Sequence, residues 1–128
     1  MADAAQSGPG ARRAVVTLPD EIDLANAGQV GLELDAALAP GVATVVADMT
    51  ATRFCDTMGV RMLVLAHRRA AASGAELRVV IPSASILRVL AITKVDTVLR
   101  IYPSLEDALA PPGRSRRPWR VRRRRPSG

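Results

Sequence analysis

The stretch Val42–Asp48 is an almost unbroken apolar run, and a short polar turn joins it to a second apolar stretch at 60–72. A continuous run suits a strand covered on both faces, whereas an edge strand alternates between apolar and polar residues. The second stretch has helical spacing. Val60, Leu63, Val64 and Ala71 are expected to line its buried side, with Arg61, Arg68 and Arg69 facing water. A central strand feeding directly into a helix restricts the chain to α/β architectures, because such a strand needs a layer on each face.

The flanking segments continue the alternation. Residues 13–18 are short and β-branched and read as a strand, which Pro19-Asp20-Glu21 interrupts because proline cannot donate to a sheet ladder. Asp23 is the expected N-cap of a helix running to Ala39, with Val30, Leu34 and Leu38 as its buried stripe and Pro40-Gly41 as its stop. Ser73-Gly74 ends the next helix. A strand over 76–81 follows, then a short helix opened by Pro82-Ser83 that carries Ile86, Leu87, Val89 and Leu90. A strand over 98–102 leads to a last helix, where Ser104 and Asp107 stand at capping-box spacing. The order predicts one α/β domain over 13–110, with a four- to five-stranded mixed sheet and helices mainly on one face. A doubly wound sheet is the rival.

Composition limits the core more than it limits the fold. Of 128 residues 48% are hydrophobic, yet there is only one each of Phe, Tyr and Trp, so Ala, Val, Leu and Ile must do the packing. The net charge of +6 is uneven. Residues 111–128 hold eight arginines and no acid, which leaves 10 basic against 12 acidic residues elsewhere, or about −2. The basic character therefore belongs to a tail. Residues 1–12 and 111–128 are expected to be disordered. With no bilayer-length apolar run, no secretion signal and a lone cysteine, a cytoplasmic protein is expected.

The turn Phe54-Cys55-Asp56-Thr57-Met58-Gly59 carries the most chemistry. It places a hydroxyl at a helix N-terminus, where free N–H groups and the helix dipole favour negative charge. Asp56 and Thr57 serve equally as helix caps, and capping does not exclude docking. Met58 reads either as a partly buried packing residue or as a flexible apolar contact for a partner. Cys55 has no activating neighbour in sequence and reads as a small core hydrophobe. One histidine (His67) and one cysteine make no metal site, and neither a catalytic triad nor a phosphate loop is present. No enzyme activity, metal or cofactor is expected.

Three segments in order resemble one family. Glu21-Ile22-Asp23-Leu24-Ala25 is similar to its Gly-Glu-(Leu/Ile)-Asp segment. Residues 48–59 resemble its strand, Asp-containing loop and Asp-Ser-Ser/Thr-Gly turn. Residues 90–99 resemble its Leu-x-x-x-Gly-Leu-Asp ending. The region 15–110 thus resembles the STAS domain of bacterial anti-sigma factor antagonists. The resemblance implies a partner-switching transcription regulator: the unmodified protein binds an anti-sigma factor that is also a serine/threonine kinase, and phosphorylation of the hydroxyl just before the turn glycine blocks binding. It also implies partner binding through Asp56, Thr57, Met58 and Gly59, with Asp48 close to the same turn; a solvated strand end is the alternative for Asp48.

The family's acceptor position is held here by Met58, which has no hydroxyl. Either Thr57 is the phosphoacceptor or the protein is not switched by phosphorylation, since a shift of one residue turns a side chain by about 100° on a helix. In the second case it is a phosphorylation-independent binding module or scaffold. Lys94 stands where the family usually has a helix-terminating glycine, and Pro19-Asp20 where it often has another. A third reading gives the binding to the tail. Arg114, Arg116, Arg117, Arg120, Arg122, Arg123, Arg124 and Arg125 are able to hold phosphates of a nucleic acid or membrane, with Trp119 for stacking. The plainer expectation is a solvated tail in non-specific contact with polyanions.

Overall fold

The structure, a computed structural model, describes residues 12–110; the Arg-rich stretch and its eight candidate arginines lie outside them. Strands β1 (Arg12–Thr17), β3 (Val42–Asp48), β5 (Glu76–Val80) and β6 (Arg100–Tyr102) form one sheet in that order. A two-stranded ribbon pairs β2 (Glu21–Ile22) with β4 (Phe54–Cys55). Helices α1 (Ala27–Ala37), α2 (Thr57–Ala72) and α3 (Ala84–Ile92) fill the connections, a 3₁₀ turn covers Val95–Thr97, and α4 (Leu105–Ala108) closes the described chain.

Every described strand pair is parallel, which narrows the expected mixed sheet. Neighbouring strands of the main sheet are each joined through a helix, and such crossovers return the chain in the same direction. The order β1-β3-β5-β6 also steps one way only. With right-handed crossovers, this sets α1, α2 and α3 on one face. The doubly wound alternative would require a reversal.

The apolar run 42–48 occupies the centre. Val45, Val46 and Ala47 are fully buried because Val45 and Ala47 meet the three-helix layer while Val46 meets α4. On α2 the buried side is Val60, Met62, Leu63, Ala66 and Ala70; Ala71, expected inside, is exposed. The three arginines expected in water are exposed. Helix α1 starts three residues later than expected, its N-cap position being Asn26 and not Asp23. Asp23 accepts the N–H of Ala25 and forms a turn, while the Asn26 side chain accepts from the Asp23 N–H and donates to the Glu21 carbonyl. Those bonds hold 23–26 out of the helix.

The opposite sheet face has a smaller core of Val46, Val80, Tyr102 and Ala108, with Leu105 and Leu109 against it. Arg78 crosses this face while buried. Its guanidinium donates to the carbonyls of Ala108 (2.7 Å) and Ala110 (3.2 Å), lies over the Tyr102 ring, and pairs with Glu76 (3.3 Å). It therefore ties the end of α4 to the middle of the sheet. Ser104 caps α4 by accepting the Asp107 N–H, as its spacing predicted. No helix among the described residues is long and apolar enough to cross a membrane.

Candidate functional site

The turn at 54–59 sits at the end of the sheet where β3 finishes, and two sets of backbone bonds and one side-chain bond hold it there. The Arg53 and Phe54 N–H groups donate to the Asp20 carbonyl, and the Asp56 N–H donates to the Ile22 carbonyl. Thr52 is buried and its hydroxyl donates to the Pro19 carbonyl at 2.7 Å. The segment 49–56 is thereby stitched to 18–22, two stretches that sequence reasoning left unconnected.

Asp56 is the N-cap of α2. Its Oδ1 accepts the N–H groups of Met58 (2.9 Å) and Gly59 (3.1 Å), and its backbone is extended as a cap requires. Two of the free donors at the helix start are thus satisfied within the chain, so the site is not an open anion cradle. Thr57 is the first helical residue and is exposed, and Met58 is 38% exposed. A hydroxyl and a thioether stand side by side on a rigid turn.

Gly59 faces inward. A Cβ added there would lie 2.6 Å from Cys55 Sγ and 2.9 Å from Ile22 Cγ2. The glycine is required by close approach of the β2–β4 ribbon to the first turn of α2, and it tilts Thr57 and Met58 outward as the buried side of the helix closes. Cys55 is buried in this contact. Burial, reinforced by the Asp56 charge, pushes its thiol up to about 11, so it is neutral and unreactive at physiological pH.

Asp48 ends β3 close to half-buried, and its Oδ1 accepts both the N–H (3.0 Å) and the hydroxyl (2.5 Å) of Thr50. No hydrogen bond or ion pair among the described residues links it to Asp56, Thr57, Met58 or Gly59. It orders the loop leading to the turn. Phe54, 51% exposed on β4, extends the outward apolar surface beside the turn.

A groove of about 230 Å³ between α1 and α2 starts at Met58 and was not expected from the sequence. Gly28, Gly31 and Leu32 line one wall and Met58, Met62 and Leu65 the other. The helical periods of α1 and α2 are visible in the sequence, but no local signal says that these two helices lie side by side.

The family model described as the STAS domain matches residues 4–108. No curated protein matches the chain by sequence. Among solved structures, an anti-sigma factor antagonist from Mycobacterium paratuberculosis is 26% identical, covering 76% of this chain and 82% of that one with a TM-score of 0.68. The Thermotoga maritima protein TM1081 is 21% identical over 74% of this chain and 84% of its own, with a TM-score of 0.65. The anti-sigma factor antagonist SpoIIAA in its unphosphorylated form is 18% identical, covering 76% and 84% with a TM-score of 0.57.

Proposed function

The chain belongs to the STAS domain family, and from that membership we propose that it is an anti-sigma factor antagonist that docks through the turn at 56–59. Its partner in this reading is an anti-sigma factor with a serine/threonine kinase fold, met in the cytoplasm, and the protein acts by binding without chemistry of its own. The observation that carries the reading is the exposed Thr57–Met58 pair on a turn fixed by the Asp56 cap and by Gly59. The likeness to the Mycobacterium paratuberculosis antagonist supports the same role.

Met58 occupies the position expected of a phosphoacceptor. Binding is therefore constitutive in this reading, because a thioether offers no oxygen to phosphorylate. The exposure of Thr57 favours a second reading, in which the acceptor is displaced by one residue. A phosphoryl group there would add roughly −1.5 to −2 charges next to the Asp56 carboxylate and repel an apolar partner surface.

The full chain as bait in a lysate of its own host, with and without Mg-ATP, tests both. Capture of an anti-sigma kinase with no change in the bait's mass supports constitutive antagonism. A gain of one phosphoryl group that disappears in Thr57→Ala supports the displaced acceptor. Met58→Asp should weaken capture by about tenfold or more, since a buried unpaired charge is costly at an interface. Capture that ignores Met58→Asp removes the turn from the interface, and capture lost on deleting 111–128 moves the binding to the tail.

A further inference from the structure

Helix α1 is apolar on two sides. Ala27, Val30, Gly31 and Leu34 face the core, while Gly28, Leu32 and Ala36 form an outward stripe at four-residue spacing. Leu32 is 62% exposed. A helix with two apolar sides is expected to be covered on both. Gly28 meets nothing within 4 Å of where a Cβ would stand, so the stripe is shallow and open to close approach. It borders the α1–α2 groove, whose other wall carries the adaptable thioethers of Met58 and Met62.

The charges on the two walls are opposite. Among charged residues α1 has only acids, Glu33 and Asp35, and α2 has only bases, with Arg61, Arg68 and Arg69 exposed. The two helices run in the same direction. Ala27 and Gly28 lie with Met58 at one end of the groove, and Asp35 pairs with Arg69 at the other (3.4 Å).

We propose that this face is the interface of a homodimer, its occupant a second copy of this chain. A two-fold axis running along the groove lays α1 of each copy over α2 of the other at the same level. Acid then meets base on both sides, and each Leu32 comes over the Met62 and Leu65 stretch of the opposite copy. Arg68 of one copy comes over the Glu33 end of the other's α1, with the exposed Glu33 carboxylate opposite it. A two-fold axis across the groove would instead set acid on acid and base on base. The patch is thus self-complementary in one orientation, as an isologous dimer requires. Met58 belongs to both this face and the turn, so self-association and docking at the turn exclude each other.

Sedimentation velocity of the full chain over a range of concentrations tests the proposal. The mass should rise from 13.6 kDa towards twice that value. Leu32→Glu, at an exposed position, should keep the circular dichroism of the parent and stay monomeric. Arg68→Glu should weaken association about tenfold, because a charge reversal acts twice across a two-fold axis, and adding Glu33→Arg should restore it. The repair distinguishes the two orientations, since the two residues meet only between copies. A chain that stays monomeric throughout overturns the proposal and assigns the face to another occupant, either this chain's own termini or a different protein. Association unchanged by Leu32→Glu overturns it too, as does a double variant no tighter than Arg68→Glu. None of these substitutions alters the turn at 56–59, so the result stands apart from the antagonist reading.

Discussion

At Gly59 the molecule has no room for a methyl group. Its absent Cβ would meet Cys55 Sγ at 2.6 Å and Ile22 Cγ2 at 2.9 Å, both belonging to the core that anchors the turn. Gly59→Ala should lower stability by about 1–3 kcal/mol, the usual cost of overpacking, and should blunt partner docking by shifting Thr57 and Met58. Urea denaturation paired with a binding assay would check both. Cys55 behind it makes stability depend on pH. The folded thiol titrates near 11 against an ordinary 9.0, so the unfolded chain loses its proton first. Stability contributed by the neutral thiol is complete below pH 9 and falls as pH rises towards 11, at up to about 1.4 kcal/mol per unit. Urea midpoints at pH 8 and pH 10.5 should differ less in Cys55→Ala than in the parent. The sequence made the cysteine a core residue for want of an activating neighbour, and it is one. The demand for glycine at 59 was visible only as a resemblance, because the atoms it avoids come partly from residue 22.

Among the elements, the junction after α3 holds a residue poorly suited to its backbone. Lys94 sits at φ 65°, ψ 15°, the left-handed region that glycine tolerates best. Lys94→Gly should raise the urea midpoint, corresponding to about 0.5–1 kcal/mol, the relief of the Cβ clash less the extra entropy glycine loses on folding. An unchanged midpoint would mean that the 3₁₀ turn at Val95–Thr97 absorbs the difference. This position was legible in the sequence only through the resemblance, which sets Lys94 where the family usually has a helix-terminating glycine. The start of α1 was not. Asp23 has the right chemistry for a cap, but its amide is bonded by Asn26, whose own amide holds the Glu21 carbonyl. The β2–β4 ribbon was missed for a similar reason: two-residue strands carry no periodicity, and their pairing joins residues far apart in the chain.

At the scale of the whole domain, the second sheet face is closed among the described residues by a single short helix and one buried arginine. Truncation after Tyr102 removes α4, exposes Val46, Val80 and Tyr102, and takes away the Ala108 and Ala110 carbonyls that Arg78 holds. It should destabilise the domain by more than about 3 kcal/mol, whereas truncation after Ala110 keeps every bond of this clamp and should leave the melting temperature within a few degrees. Thermal denaturation of the two shortened chains checks the pair. The alternation of strand and helix, the central place of Val42–Asp48, and the cap and outward hydroxyl of the 56–59 turn were all determined by the sequence alone. Each depends on the spacing of residues a few positions apart, which the local geometry of helices, strands and turns converts directly into structure. The parallel register, the burial of Arg78, the contact behind Gly59 and the oppositely charged groove between α1 and α2 were decided only by the tertiary structure. They depend on which distant segments become neighbours, and that follows from closing one shared core rather than from any local pattern.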